Sequence, residues 1–267
     1  MRNVSWKSGS GSLAISEIVR TDENFLTAEP TARMQDTHSR EDLLKIANAR
    51  LYPSVTNPSY LVQRRRRQIL GQWIERIHGN QLVILDIGGR YQPYRPLLAN
   101  RIRRYVALDV LATNLVDVVG NGQKLPFKAD TFDLVIATGV FEYFPEPRVA
   151  AEEIHRVLKP GGCLMLSVAS VYPRVVDEEH WRYLPAGLRH VLASFAKTEI
   201  VPEVASIGGF LRVTASSLSI FAKYGFVRQV LHHTVVPVLN LLGVALDRPS
   251  ISHNDQIAGN YCAIAWK

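Results

Sequence analysis

The chain has 267 residues, 47% of them hydrophobic and 21% charged, which suits one large domain with additions around a sizeable core. The net charge of +7 comes without a long Lys/Arg run interleaved with aromatics, so a dedicated nucleic-acid binder is not expected. An anionic partner is compatible with that charge, either a phosphorylated substrate or an acidic membrane surface. The two cysteines, Cys163 and Cys262, each sit in an apolar run. They make no disulfide framework and point to a reducing cytoplasm. No signal peptide is read at the start, and no segment is expected to reach the roughly 18 apolar residues of a transmembrane helix. No metal-ligand set is read either.

Residues 1 to about 40 are rich in Ser, Thr, Gly and charge, and are expected to be a loosely ordered extension with one short helix near Leu13–Val19. A domain over 41–267 follows. Tyr60 to Ile77 is expected to be a helix, with Leu61, Val62, Ile69, Leu70, Trp73, Ile74 and Ile77 on one apolar stripe. At about 100° per residue, Arg66 falls near the centre of that stripe. Either the helix begins later, leaving Arg64–Arg67 solvated, or an anion meets Arg66 there.

Alternation then begins. Leu82–Ile87, Tyr105–Asp109, Val116–Val119, Phe132–Ala137 and Cys163–Val168 are continuous apolar runs that predict strands, and Val149–Leu158 is an amphipathic helix stopped at Lys159-Pro160-Gly161-Gly162. Strands without polar alternation, separated by helices, predict a doubly wound, mostly parallel α/β sheet covered on both faces. Further on, Pro185–Ser194 is expected to be helical, Thr198–Ser206 a strand, Gly208–Arg248 an apolar helical insert, and Tyr261–Trp266 the last strand.

The first strand runs into Gly88-Gly89, a turn expected to put backbone N–H groups at the carboxyl edge of the sheet, where nucleotides bind in such folds. Asp109 ends the second strand 21 residues after Gly88, the spacing of an acid that accepts from ribose hydroxyls. The plainer alternative is that Asp109 caps a turn. These two features admit NAD as well as S-adenosylmethionine.

The stretch Asn121–Gly162 distinguishes them. Leu125-Pro126-Phe127, Thr131-Phe132-Asp133, Phe141-Glu142, Glu153 and Arg156-Val157-Leu158-Lys159-Pro160-Gly161-Gly162 resemble the class I S-adenosylmethionine-dependent methyltransferases, in the branch with "LPF…D.SFD.V…LEH…E..RVLKPGG". The resemblance spans roughly residues 60–207 and the last strand, and implies a Rossmann-like fold with a seven-stranded sheet. It implies that Asp86, Gly88 and Gly89 border the methionine end of the cofactor, Asp109 its ribose, Asn121 and Gly122 its adenine, and Thr138 and Gly139 the floor beneath the sulfonium. Two departures stand out. Arg90 replaces the last glycine of the family's Asp-x-Gly-x-Gly, and Asn121 replaces an Asp; the amide both accepts and donates. A reductase reading lacks a Tyr-x-x-x-Lys pair after the fourth strand.

The acceptor side is expected after the fifth strand, in SVYPRVVDEEHWRYLPAGL. It resembles a motif of methyltransferases of glycan and secondary-metabolite synthesis, through His180, Trp181, Arg182, Pro185, Gly187 and Leu188. In those relatives the His stands several residues before the Trp; here the two are adjacent. Asp177, Glu178, Glu179 and His180 are expected together at the acceptor entrance, with His180 able to serve as a base near neutrality. The alternative is a solvated acidic loop with Trp181 on the core. Glu142 is a third acid–base candidate, or else a helix N-terminal acid, and His155 is expected to be a packing residue.

Val235–Leu246 is read as lying in a membrane interface, covering a lipid-linked substrate, meeting a second subunit, or packing in the core. In the first case Arg212, Lys223 and Arg228 are expected to rim it. The expected activity is methyl transfer to a hydroxyl of a small molecule or glycan, lipid-linked in one version; the rivals are a non-catalytic relative and an NAD-dependent reductase.

Overall fold

The computed structural model describes Ile18, residues 38–174, 176–218, 224–246 and 255–267. The short helix expected near Leu13–Val19 lies outside the described residues apart from Ile18. That residue is buried against the sheet, with its carbonyl accepting from the Lys128 N–H at 2.9 Å.

The helix α1 (Arg40–Leu51) opens the continuous part, capped by Ser39, whose hydroxyl accepts from the Asp42 N–H at 3.1 Å. It is followed by α2 (Tyr60–Glu75), which buries Leu61, Val62, Ile69, Leu70, Trp73 and Ile74 as its spacing predicts. The alternating part comprises β1 (Leu82–Ile87), a 3-10 turn Arg95–Arg101, β2 (Ile102–Asp109), β3 (Val118–Val119) and β4 (Phe132–Thr138). A 3-10 turn Phe141–Tyr143 leads to α3 (Pro147–Val157) and β5 (Leu158–Ala169). After these come α4 (Pro185–Val191), β6 (Lys197–Pro202), α5 (Ser206–Ser217), α6 (Gly225–His233), α7 (Val235–Leu246) and β7 (Asn260–Trp266). The strand expected over Thr198–Ser206 therefore stops at Pro202. Beyond it the Glu203 N–H still donates to the Asn260 carbonyl at 2.9 Å, and Ser206 begins a helix.

The seven strands are ordered β3-β2-β1-β4-β5-β7-β6, parallel except for β7, which pairs antiparallel with both β5 and β6. Every residue of β1 is buried, because helices cover both faces. One face packs Leu51, Ile69, Leu70, Trp73 and Ile74 of α1 and α2 against Ile84, Ile136 and Met165. The other packs Ala150, Ile154 and Val157 of α3 against Leu85, Val135 and Leu166.

The signature residues from Leu125 to Gly162 are a brace. Arg156 donates to the carbonyls of Phe127 at 2.9 Å and Leu125 at 3.1 Å, while Glu153 accepts from the Leu125 N–H at 2.9 Å. Lys159 Nζ reaches both oxygens of Asp133, at 2.8 and 2.9 Å, and Asp133 also accepts from the Val83 N–H. Chain segments on either side of β4 are thereby tied into one unit. The role is structural, as expected for RVLKPGG.

The insert between β6 and β7 is helical. Its stems touch: a Cβ on Gly209 would lie 1.8 Å from the Ile257 carbonyl oxygen, and the Gly259 N–H donates to the Val204 carbonyl at 3.3 Å. Helix α7 returns to α2, where a Cβ on Gly243 would meet Leu61, and buried Asn240 donates to the carbonyls of Val55 and Asn57. Much of its surface stays uncovered: Val238, Leu241 and Leu242 on α7 and Phe226 and Val230 on α6 are exposed. Contrary to the sequence expectation, the 22-residue run Gly225–Leu246 is long and apolar enough, by length and composition, to cross a membrane.

Candidate functional site

The strand order reverses between β1 and β4, and ligands of open α/β sheets bind at the carboxyl ends of strands flanking such a reversal. Because side chains alternate along a strand, Asp86 on β1, Asp109 on β2, Thr138 on β4 and Ser167 on β5 share the α2 face, each at or near the carboxyl end. The expected cofactor acids are therefore neighbours. Asp86 is buried and accepts from the Tyr105 hydroxyl at 2.6 Å. Burial pushes its carboxyl up to about 7; the Tyr105 hydrogen bond opposes the shift and nearby Asp109 adds to it. Asp109, also buried, accepts from the Leu111 N–H at 3.0 Å, the turn cap that was the alternative reading, and its other oxygen lies 4.0 Å from Arg90 Nε.

The glycine turn differs in detail from the expectation. Gly88 sits at φ 75°, which favours glycine. A Cβ there would lie 3.2 Å from Val140 Cβ, so the crevice between β1 and β4 is narrow at this point. The N–H groups of Gly88 and Gly89 do not face outward: both donate to the Leu108 carbonyl, at 2.8 and 3.1 Å. They brace the turn, and a ligand would meet the turn's surface instead of its amide protons. On the far side of Ile87, a Cβ on Gly122 would come within 2.6 Å of the Phe144 ring, so this turn is closely packed. Asn121 is exposed and its side-chain oxygen accepts from the Gln123 N–H at 2.9 Å, leaving the amide nitrogen toward solvent. Thr138 is half-buried, and the Gly139 N–H donates to the Ser167 carbonyl.

S-adenosylmethionine fits this donor set. Asp86 would compensate a cationic ligand at the floor, where its own burial makes ionisation costly. Asp109 keeps an oxygen beyond hydrogen-bond distance of Arg90, placed to accept from a diol. Arg90, at the position of the family's missing glycine, stacks on Tyr91 and approaches Asp109 from one side.

The acceptor side is assembled differently from the sequence expectation. Asp177 is 86% exposed and pairs with Arg174 at 3.0 Å, so it belongs to a solvated loop. His180 is exposed too; its backbone N–H, not its imidazole, reaches inward to the Glu142 carbonyl at 2.8 Å. The Trp181 indole donates to the Phe144 carbonyl, and Arg182 pairs with Glu179. The solvated-loop alternative fits Asp177 and His180, whereas the Glu179 side chain is buried in its pair with Arg182 and Trp181 is half exposed instead of packed on the core. Glu142, by contrast, is enclosed. One carboxylate oxygen accepts from the Ala169 N–H at the end of β5, and the other is buried without a hydrogen-bond partner among the described residues. Burial raises its pKa. His155 stacks edge-on against Phe195, a packing residue as expected.

Arg66 resolves to the anion reading, with an anion from within the chain. It donates to both oxygens of Glu203, at 2.6 and 3.0 Å, and Ser167 and Cys262 also donate to that carboxylate. Sequence reasoning did not single out Glu203, which is buried just after β6. The available signal was the arginine displaced onto an apolar stripe. Arg212 is no rim residue: it is only 2% exposed. Lys223 and the Arg228 side chain lie outside the described residues.

Residues 85–166 match the family model described as a methyltransferase domain. Over 141 residues the chain is 28% identical to 2-methyl-6-phytyl-1,4-hydroquinone methyltransferase 1, chloroplastic, of Oryza sativa subsp. japonica, covering 46% of this chain and 41% of that protein. Over 152 residues it is 31% identical to malonyl-[acyl-carrier protein] O-methyltransferase 1 of Coxiella burnetii, covering 54% and 51%. The chain thus spans about half, or less, of the length of these relatives. Among solved structures, Haemonchus contortus phosphoethanolamine N-methyltransferase 2 aligns with a TM-score of 0.49 at 12% identity, over 83% of this chain and 60% of that one. Residues 85–166 thus carry a methyltransferase domain, and this stretch, with Asp86 and Asp109 side by side at the turn of the sheet, is similar to the class I S-adenosylmethionine-dependent methyltransferases.

Proposed function

We propose that the protein transfers a methyl group from S-adenosylmethionine to a hydroxyl of a small molecule or glycan carried on an apolar tail. The observation that carries the reading is the adjacency of two buried carboxylates, Asp86 and Asp109, on neighbouring strands beside the switch point. When bound, the cofactor supplies a methyl already activated by a sulfonium. The protein's task is then to place the acceptor and accept its proton. Of the three expected acid–base groups, Glu142 alone is enclosed at the edge of the sheet, with one oxygen buried and without a hydrogen-bond partner among the described residues. His180 and Asp177 are assigned no chemical step.

Two findings support the apolar tail. Phe226 and Val230 of α6 and Val238, Leu241 and Leu242 of α7 are exposed, and one relative is named for a phytyl-bearing hydroquinone. We place the protein on the cytoplasmic side of a membrane, with both cysteines free and buried as a reducing compartment requires.

The test is incubation with labelled S-adenosylmethionine and a panel of long-chain quinols, polyprenyl-linked sugars and phenols. Glu142→Gln should lower turnover by roughly 10²–10⁴-fold with cofactor affinity nearly intact, whereas His180→Ala should cost less than about threefold. Tight cofactor binding with no transfer to any hydroxyl would favour the non-catalytic alternative. The observation behind that alternative is the approach of Arg90 to Asp109.

A further inference from the structure

Arg212 is a cation taken out of water without full compensation. It lies on α5 with its stem against the backbone of Gly259, where an added Cβ would meet Arg212 Cγ at 3.1 Å. Its guanidinium lies 4.6 Å from the centroid of the Tyr172 ring. It is 2% exposed, and its Nε and Nη1 are buried with no hydrogen-bond partner among the described residues. Glu203, whose charge acts on Arg212, is already engaged by Arg66, Ser167 and Cys262. Buried guanidinium N–H groups are costly to leave unmade, so their natural complement is an oxyanion held in a fork.

The location fits the substrate side of the site. Tyr172 follows β5 closely, Gly259 directly precedes β7, and Ala169 of β5 pairs with Asn260 of β7. Ala169 is also the residue whose N–H is bound by Glu142, whose other oxygen is a buried acceptor with no partner among the described residues. Ser167, which donates to Glu203, pairs in register with Thr138 of β4, so the Arg66–Glu203 cluster stands one strand from the floor of the cofactor crevice. The same edge of the sheet therefore presents one unmet acceptor and two unmet donors.

We propose that Arg212, oriented by Tyr172 and backed by the Arg66–Glu203 pair, is a binding subsite for a carboxylate or phosphate group on the methyl acceptor. Its hydroxyl would then face Glu142. The inference builds on the methyltransferase reading for its purpose, but the oxyanion site is detectable by itself.

The experiment titrates the full chain by calorimetry with inorganic phosphate and, separately, with benzoate at constant ionic strength, and repeats both with Arg212→Met and Arg212→Lys. Wild-type protein should bind at least one of the two anions. Arg212→Met should weaken that binding tenfold or more, and Arg212→Lys should recover only part of it, since an ammonium lacks the planar fork. Preference for phosphate would assign a phosphorylated acceptor, preference for benzoate a carboxylate one. Methionine matches the length of the arginine stem, so the melting temperature should hold or rise if the guanidinium awaits a ligand. A fall in melting temperature with unchanged anion binding would show Arg212 to be a strut and overturn the proposal, as would the absence of any anion binding by wild type. Titration of the same proteins with S-adenosylmethionine keeps the two readings apart: anion binding without cofactor binding would sink the methyltransferase reading and leave the subsite standing.

Discussion

Asp86 carries two roles that pull against each other. Below its folded-state pKa of about 7 it is a neutral carboxyl accepting from Tyr105, compatible with its burial. Above that it is a buried anion eased only in part by the Tyr105 hydroxyl and Arg95. Because the pKa is raised from 3.8, the folded state binds more protons than the unfolded one between these values. Stability contributed by the neutral form is complete below about pH 4 and is lost as pH climbs through 7, on the order of 4 kcal/mol at most. Asp86→Asn should therefore melt higher than wild type at pH 8 and similarly at pH 4. A cationic cofactor reverses the preference, so affinity for S-adenosylmethionine should rise from pH 6 to pH 8 with uptake coupled to proton release. Calorimetry in buffers of different ionisation enthalpy measures that proton, and it should vanish in Asp86→Asn. For its neighbour, Asp109→Ala should weaken cofactor binding by about 1.5–3 kcal/mol through loss of charge-assisted hydrogen bonds to a diol. An unchanged dissociation constant would remove Asp109 from the site.

Among the elements, α2 and the segment after β6 are coupled by the Arg66–Glu203 pair, which spans 137 positions in sequence. Removing one partner of a buried pair leaves a bare charge, so Arg66→Met should cost about 3–5 kcal/mol in denaturant unfolding. Adding Glu203→Leu should recover most of it, and a simple sum of two losses would show that the pair is not coupled. The same pair shows what a sequence discloses. The strands were legible because a sheet covered on both faces needs uninterrupted apolar runs such as Leu82–Ile87 and Phe132–Ala137. The two candidate cofactor acids were legible because Asp109 ends its run and Asp86 stands one residue before the end of its own. Helix α1 was not, since only Leu43, Ala47 and Leu51 of its residues are buried and the rest reads as a solvated surface. The loop 171–184 misled because clustered acids and a histidine look like chemistry. Their partners turned out to be near in sequence, Arg174 for Asp177 and Arg182 for Glu179. Arg66 announced a missing anion without naming it, for nothing local points to Glu203.

For the whole molecule, the question is what meets the apolar face of α6 and α7. Leu241 and Leu242 are 59% and 46% exposed, so replacing both with Ser should leave folding and cofactor binding intact. If that face lies on a bilayer, wild-type protein should co-sediment with anionic vesicles, and the double substitution should abolish the association. Added salt should weaken it only in part, because screening reaches the net charge of +7 but not the apolar contact. Equal sedimentation of both proteins would remove α7 from the contact. A concentration-dependent dimer that the substitution dissolves would assign the face to a second copy.

Gly209, near the start of α5, and Ile257, just before β7, are in close contact, so the outgoing and returning chain pass one point beside the sheet. Chain leaves and re-enters there at van der Waals distance, so most of the loop-closure entropy is met at one point whatever the length between. Exchange of the stretch between those two residues should thereby be cheap for the sheet: β6 and β7 would keep their register while the segment between them is replaced. A grafted piece would have to restore a contact to Leu61 and a donor to the Val55 and Asn57 carbonyls.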